Sequence, residues 1–246
     1  MRYNDRNKGE RDMLLYVVRH GEPDYVTDTL LERGKLQAEA VGKRLVRAGI
    51  TQIYSSPMGR AKETAAPACR MLNLPCHIEE WAKEIEQEVK SPYPDGVLKS
   101  VSLLNNIEFR KDGRMDLLYD QGFDCPGINQ SHMKEAVEYI TENGRDFLTR
   151  LGYREENGIY RILNPNEERV ALFCHAGLMR AWMSVLLHIP IHTLWSSFSV
   201  THTGITVFEF KNEPEGFTAP RCLAFSDTSH LYADGLDLRH CNKFEV

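Results

Sequence analysis

Two unbroken apolar runs constrain this chain more than anything else in it: Met13 to Val18, and Val170 to Cys174 after Arg169. A strand with one wet face alternates apolar and polar residues, whereas a continuous apolar run reads as a strand covered on both faces. That burial belongs to parallel sheets with helices packed on each side. Each run stops at a histidine, His20 or His175, and then turns through Gly21 or Gly177 toward a helical pattern. The two imidazoles are therefore expected to face each other at one edge of a sheet.

The segments between the runs fit the same plan. Glu32 to Arg47 sets Leu36, Ala40 and Leu45 among charged residues at helical spacing, and Gly49 supplies a C-terminal stop. Gln52 to Ser55 reads as a second strand, Pro57 opens a second helix through about Leu72, and Cys76 to Ile78 is a third strand. A βαβαβ order implies right-handed crossovers. From about Glu86 to Gln130 the periodicity is lost among Pro92, Pro94, Gly96, Gly113, Gly122, Pro126 and Gly127. We read this stretch as an insertion over the sheet. Helical spacing resumes through Met133, Val137, Ile140, Phe147 and Leu151, weakened at Gly144. Leu178 to His188 forms the helix after the second diagnostic strand, Ile205 to Phe210 alternates as a strand, and Arg221 to Phe225 returns as an edge strand. The expected fold is α/β, a three-layer α/β/α sandwich with a mixed but mainly parallel sheet, in one domain over residues 1–246 with the insertion at about 86–130.

Composition removes several classes of function. A net charge of -5 with both signs spread along the chain gives no electrostatic reason for a nucleic-acid partner. No apolar run approaches the roughly 18 residues of a membrane span, and the first twelve residues are polar, so neither membrane association nor a secretory leader is expected. The six cysteines form no C-x-x-C pair and no tight Cys/His spacing, so no metal site is expected, and free thiols fit a cytoplasmic setting.

The candidate chemistry sits at the strand ends. Transfer of a phosphoryl group needs positive charge around the equatorial oxygens, an in-line nucleophile and a proton donor for the leaving oxygen. Arg19 and His20 end the first strand and His175 ends a later one, where open α/β sheets place their ligands. Arg60 follows the second strand, and its guanidinium can act there as a bidentate phosphate clamp. Two arginines and two histidines are thus expected to converge.

These segments resemble a known family. Arg19-His20-Gly21-Glu22, then Ser56-Pro57-x-x-Arg60-Ala61-x-x-Thr64, then His175-Ala176-Gly177 resemble, in order, the three signatures of the histidine phosphatase superfamily, in the branch that contains phosphoglycerate mutases. Leu31-Glu32-x-Gly34-x-x-Gln37-Ala38 and Phe225-Ser226-Asp227-Thr228-Ser229-His230-Leu231 resemble that branch's first helix and C-terminal segment. The resemblance implies a metal-independent, cofactor-free phosphomonoesterase acting on a small phosphorylated metabolite through a phosphohistidine on His20. Arg19, Arg60 and His175 would hold the phosphoryl oxygens. Glu84 would be the acid that protonates the leaving oxygen, with Glu86 and Glu88 as rivals.

The departures from the pattern are also informative. Val26 stands where mutase-type relatives carry an asparagine, Glu86 to Lys90 replace a glycine and tryptophan that usually follow the acid, and the histidine-aspartate pair of the acid phosphatase branch is replaced by His175-Ala176. No Glu-Arg-His-Tyr-Gly segment of the mutase kind is present, which favours hydrolysis over phosphoryl return. The alternatives are phosphoglycerate mutase-type transfer and a non-catalytic phospho-ligand binding module. Glu22 is expected to orient its loop, and His230 to pack beneath the site. The remaining histidines, His202 among them, are expected to be mostly solvated or structural. The basic residues Arg110, Lys111 and Arg114 are expected in a solvated loop. The chain carries no signal for its oligomeric state or its leaving group.

Overall fold

The computed structural model describes residues 12–85, 88–90, 98–100, 116–125, 128–129, 131–237, 239–240 and 244–245. Its centre is a six-stranded sheet in the spatial order Arg221–Asp227, Ile205–Phe210, Met13–Arg19, Arg169–Cys174, Gln52–Ser55, Cys76–Ile78. The last four run parallel, and the first two are antiparallel additions at one edge. Helices cover both faces: α1 (Glu32–Ala48) and α2 (Gly59–Leu72) on one side, α3 (Met133–Arg150), α4 (Ala176–Leu187) and α5 (Ile191–Ser197) on the other. A short α6 (Ser229–Ala233) lies against α1.

The apolar run of the first strand explains the layering. Met13, Leu15 and Val17 enter one core with Phe147 of α3 and Leu178 and Trp182 of α4. Tyr16 and Val18, pointing the other way, join Val41 and Leu45 of α1 and Ala65 and Ala68 of α2 in a second core. A strand flanked by two cores has no polar face to spare, so its sequence does not alternate.

Several boundaries move for physical reasons. The second helix starts at Gly59 rather than Pro57, because the Asp28 carboxylate accepts the Gly59 N–H at 2.6 Å and closes the helix there. The helix after the second diagnostic strand begins earlier than expected, at Ala176, directly behind His175. Gly144 leaves α3 unbroken; it is buried where a methyl group would lie 2.6 Å from Trp182 Nε1. The edge strand runs on to Asp227 with irregular register against its neighbour. A hairpin, Tyr153–Glu156 with Ile159–Ile162, was not expected. The stretch at about 86–130 falls largely outside the described residues, as do Arg110, Lys111 and Arg114. Among the described residues, no helix is long and apolar enough to cross a membrane.

Candidate active site

Strand register brings the signature residues together. Arg19 is paired with Cys174 in the parallel ladder, and the His20 N–H donates to the Cys174 carbonyl at 2.9 Å, so the next residues, His20 and His175, leave the same sheet edge as neighbours. Their ring centroids are 5.2 Å apart and both rings are buried. Ser55 is aligned with Phe173 one strand further on, and the Ser56 N–H donates to the Phe173 carbonyl, which sets the Ser56 hydroxyl beside His175.

The hydrogen bonds assign the tautomer of His20. A carbonyl only accepts, so the 2.7 Å contact between His20 Nδ1 and the Gly21 oxygen places the proton on Nδ1. Burial, followed by the charges of Arg19 and His175, holds the His20 pKa well below its ordinary value. The ring is neutral at pH 7 and Nε2 keeps its lone pair. At His175 the nitrogen bonded within the protein is Nε2. The Ser56 hydroxyl accepts the Met58 N–H at 3.2 Å and lies 2.8 Å from His175 Nε2. When that hydroxyl donates to Nε2, the His175 proton sits on Nδ1, which is buried with no partner. Burial, Arg60 and Arg19 keep this ring neutral as well. In that tautomer the buried Nδ1–H is a donor suited to an anionic oxygen.

The two arginines are buried and oriented. Arg19 donates from Nη1 to the Val200 carbonyl at 2.5 Å. Arg60 is 4% exposed and pairs with the Asp28 carboxylate, Nη1 to Oδ1, at 2.5 Å. The same carboxylate caps the Gly59 N–H, so Asp28, held at φ 54°, joins the first loop to the start of α2. Thr64, one turn into α2, accepts the Gly21 N–H at 2.9 Å and donates to the Arg60 carbonyl at 2.7 Å. The backbone turn after His20 is therefore tied to the helix that carries Arg60. Tyr25 lies over the same group, with the Arg60 guanidinium 5.5 Å from its ring centre.

Glu84 approaches from the segment after the strand Cys76–Ile78. Its Oε1 accepts the Ile85 N–H at 3.0 Å and the Leu178 N–H at 3.2 Å, the latter in the first turn of α4 behind His175. Gly177 makes this approach possible, since a methyl group there would lie 2.6 Å from Glu84 Oε1. Burial pushes the Glu84 carboxyl up against the opposing pull of Arg19, the two amides and Arg180. A raised carboxyl beside two arginines and a neutral histidine pair is the equipment of a proton donor at a developing alkoxide. Among the described residues, no group of three His, Cys, Asp or Glu side chains is placed to hold a metal ion.

The structure thus gathers Arg19, His20, Arg60, Glu84 and His175 around one sheet edge. Glu86 lies outside the described residues, and only the backbone of Glu88 is described. Val26 is 94% exposed, and its N–H donates to Asp24 Oδ1 at 2.9 Å. Glu22 serves its loop: its side chain lies 3.4 Å from Arg33 Nε, and its N–H donates to Gln37 Oε1 at 2.8 Å. His230 packs beneath as expected, with Nε2 3.0 Å from Thr203 Oγ1, while the Thr203 N–H donates to the His20 carbonyl. Three participants escaped the sequence reading as site residues. Asp28 has no motif, the Ser56 hydroxyl was noted only as part of a signature, and His202, whose ring centre is 5.7 Å from that of His20, showed no shared spacing.

Comparison with known proteins places the chain in a family and a fold. Residues 15–89 and 129–220 match the family model described as the histidine phosphatase superfamily, branch 1. The chain is 38% identical over 245 residues to the Schizosaccharomyces pombe protein named "Probable phosphatase C1687.21", covering 90% of this chain and 97% of that one. It is 24% identical over 199 residues to phosphoserine phosphatase 1 of Hydrogenobacter thermophilus, covering 66% of this chain and 94% of the relative. Solved structures that share the fold include phosphoserine phosphatase from Entamoeba histolytica in complex with 3-phosphoglyceric acid, with a TM-score of 0.58, 21% identity, and 89% of this chain and 99% of that one covered. Another is a mycobacterial glucosyl-3-phosphoglycerate phosphatase bound to VO3, with a TM-score of 0.56, 17% identity, and coverage of 87% and 99%.

Proposed function

Because this chain belongs to the histidine phosphatase superfamily, branch 1, and is a phosphatase, we propose that it hydrolyses phosphomonoesters of a small metabolite through a phosphohistidine on His20. The observation that carries this reading is the neutral His20 ring, pinned through Nδ1 to the Gly21 carbonyl and set 5.2 Å from His175. An imidazole anchored at one nitrogen offers the other as a nucleophile without losing a proton first.

In the first half of the reaction, His20 Nε2 attacks phosphorus, the N–P bond forms, and the bond to the ester oxygen breaks. Glu84 gives its proton to that oxygen. Arg19, Arg60 and the His175 Nδ1–H take up the charge on the three equatorial oxygens. In the second half the Glu84 carboxylate removes a proton from water, the water oxygen bonds to phosphorus, and His20 leaves with its lone pair restored. The proton that Glu84 gives to the ester oxygen in the first half is thus restored by water in the second. We also propose that residues 1–246 act as one domain, with the stretch at about 86–130 inserted over the sheet.

Phosphate release from a panel of phosphomonoesters, with wild type and His20→Ala both in excess chelator, tests the reading. We expect release by wild type alone. Equal release by the alanine variant would remove His20 from the mechanism, and stimulation of transfer over release by a bisphosphate would favour the mutase alternative.

A further inference from the structure

A cavity of about 380 Å³ touches both halves of the proposed machinery. Its lining includes Met58, whose sulfur accepts from Arg60 Nη2 at 3.5 Å, and Glu84. A proton donor must sit within about 3 Å of the leaving oxygen, so the alcohol released from the phosphoryl group lies against Glu84. The body of that alcohol then has this cavity to enter.

The walls say what kind of alcohol fits. Trp81 and Ile85 come from the segment of the acid itself, Tyr139 and Ile140 from α3, and the small side chain of Ala136 opens the space between them. Among the described lining residues the only charged side chain besides Glu84 is Lys83, which is exposed and lies 3.0 Å from Glu80. An amino-acid or sugar-acid ester would bring an ammonium or carboxylate against Trp81, Ile85 and Ile140, a burial that is unfavourable away from a partner of opposite sign; among the described lining residues the exposed Lys83, already beside Glu80, is the one cation for a carboxylate. An apolar cavity of about 150 Å³ accepts benzene, so this one has room for a two-ring group. Resting on the phosphohydrolase reading, we infer that the leaving-group site selects monoesters of an apolar, ring-sized alcohol over phosphoserine or 3-phosphoglycerate.

Binding and turnover test this separately. His20→Ala, which cannot form the phosphoenzyme, is titrated by calorimetry with 2-naphthyl phosphate, phosphoserine and 3-phosphoglycerate, and wild type is assayed for kcat/KM with the same three. We expect naphthyl phosphate to bind at least tenfold tighter and to be turned over with at least tenfold higher kcat/KM. Adding Ala136→Phe, which fills the cavity, should reduce that preference to threefold or less; Tyr139→Ala, at an exposed position, serves if the phenylalanine variant does not fold. Phosphoserine or 3-phosphoglycerate binding as tightly as naphthyl phosphate would overturn the inference, as would a preference that both variants leave intact. Tight naphthyl phosphate binding without hydrolysis by wild type would keep the apolar site and remove the phosphohydrolase reading. Efficient hydrolysis of phosphoserine alone would do the reverse.

Discussion

The hydrogen that stands in for a side chain at Gly177 gives the Glu84 carboxyl its place on the first turn of α4. Gly177→Ala should displace that carboxyl and lower kcat by ten- to a hundredfold with little change in thermal stability, a result that steady-state kinetics and a melting curve report together. An unchanged kcat would mean that Glu84 does not act from this position. The acid itself is tested by Glu84→Gln, for which a loss of about 10²–10⁴ in kcat is expected with alkyl phosphates. The loss should shrink with p-nitrophenyl phosphate, whose leaving group needs no proton; an equal loss with both esters would argue against proton donation. The pH profile follows from the same two groups. His20 must be deprotonated, and its pKa lies well below its ordinary value, while Glu84 must be protonated, and its pKa is raised. We therefore expect kcat/KM to fall as pH rises through the raised Glu84 pKa, along an alkaline limb that Glu84→Gln abolishes. At this scale the sequence disclosed the residues that end strands or open helices: Arg19, His20, His175 and Arg60. It hid Asp28, because the partner that gives Asp28 its meaning, Arg60, is brought close only by the fold.

Helix α3 shows how packing overrides propensity. In an isolated helix, alanine at position 144 would be better than glycine by about 1 kcal/mol. Here the added methyl would meet the ring of the buried Trp182, which also packs on Trp81 and Phe147 in the core next to Glu84. Overpacking of this kind costs about 1–3 kcal/mol and outweighs the gain. Gly144→Ala should accordingly lower the urea midpoint, and a higher midpoint would show that Trp182 yields freely. The glycine that weakened the helical pattern in the sequence is thus a packing feature of an unbroken helix. Asn157 and Gly158, both at positive φ, form the turn of the hairpin that the sequence reading passed over. That dipeptide is a recognised hairpin signal, and it was legible; the flanking Tyr153–Glu156 and Ile159–Ile162 lack the clean alternation that would have drawn attention to it. Helix α2 is the opposite case. Its start depends on a carboxylate from the first loop, and nothing local to Pro57 or Gly59 announces that cap.

Across the whole molecule, the site and the fold share one hydrogen-bonded base. His230 is buried, its pKa lowered to about 4 chiefly by burial, and it bonds to Thr203, which in turn meets the His20 backbone. A histidine whose folded pKa is depressed binds fewer protons folded than unfolded. Its stabilising share is complete above the unfolded value near 6.5 and is lost as pH falls toward about 4, to an extent on the order of 3 kcal/mol. The stability difference between wild type and His230→Gln should therefore decrease from pH 7 to pH 4.5 in urea titrations, and a constant difference would mean that the His230 pKa is the same in the folded and unfolded states. The layered α/β fold was readable because two apolar strands dictate helices on both faces. The stretch at about 86–130 was not, because it lacks periodicity of either kind. The proposed mechanism requires a covalent bond between phosphorus and one nitrogen of His20. Rapid mixing with a labelled phosphomonoester, an alkaline quench and peptide mapping by mass spectrometry would locate it: we expect a base-stable, acid-labile phosphoryl group on His20 that is absent from His20→Ala. Full turnover by wild type with no such adduct, or an adduct on another residue, would contradict the mechanism.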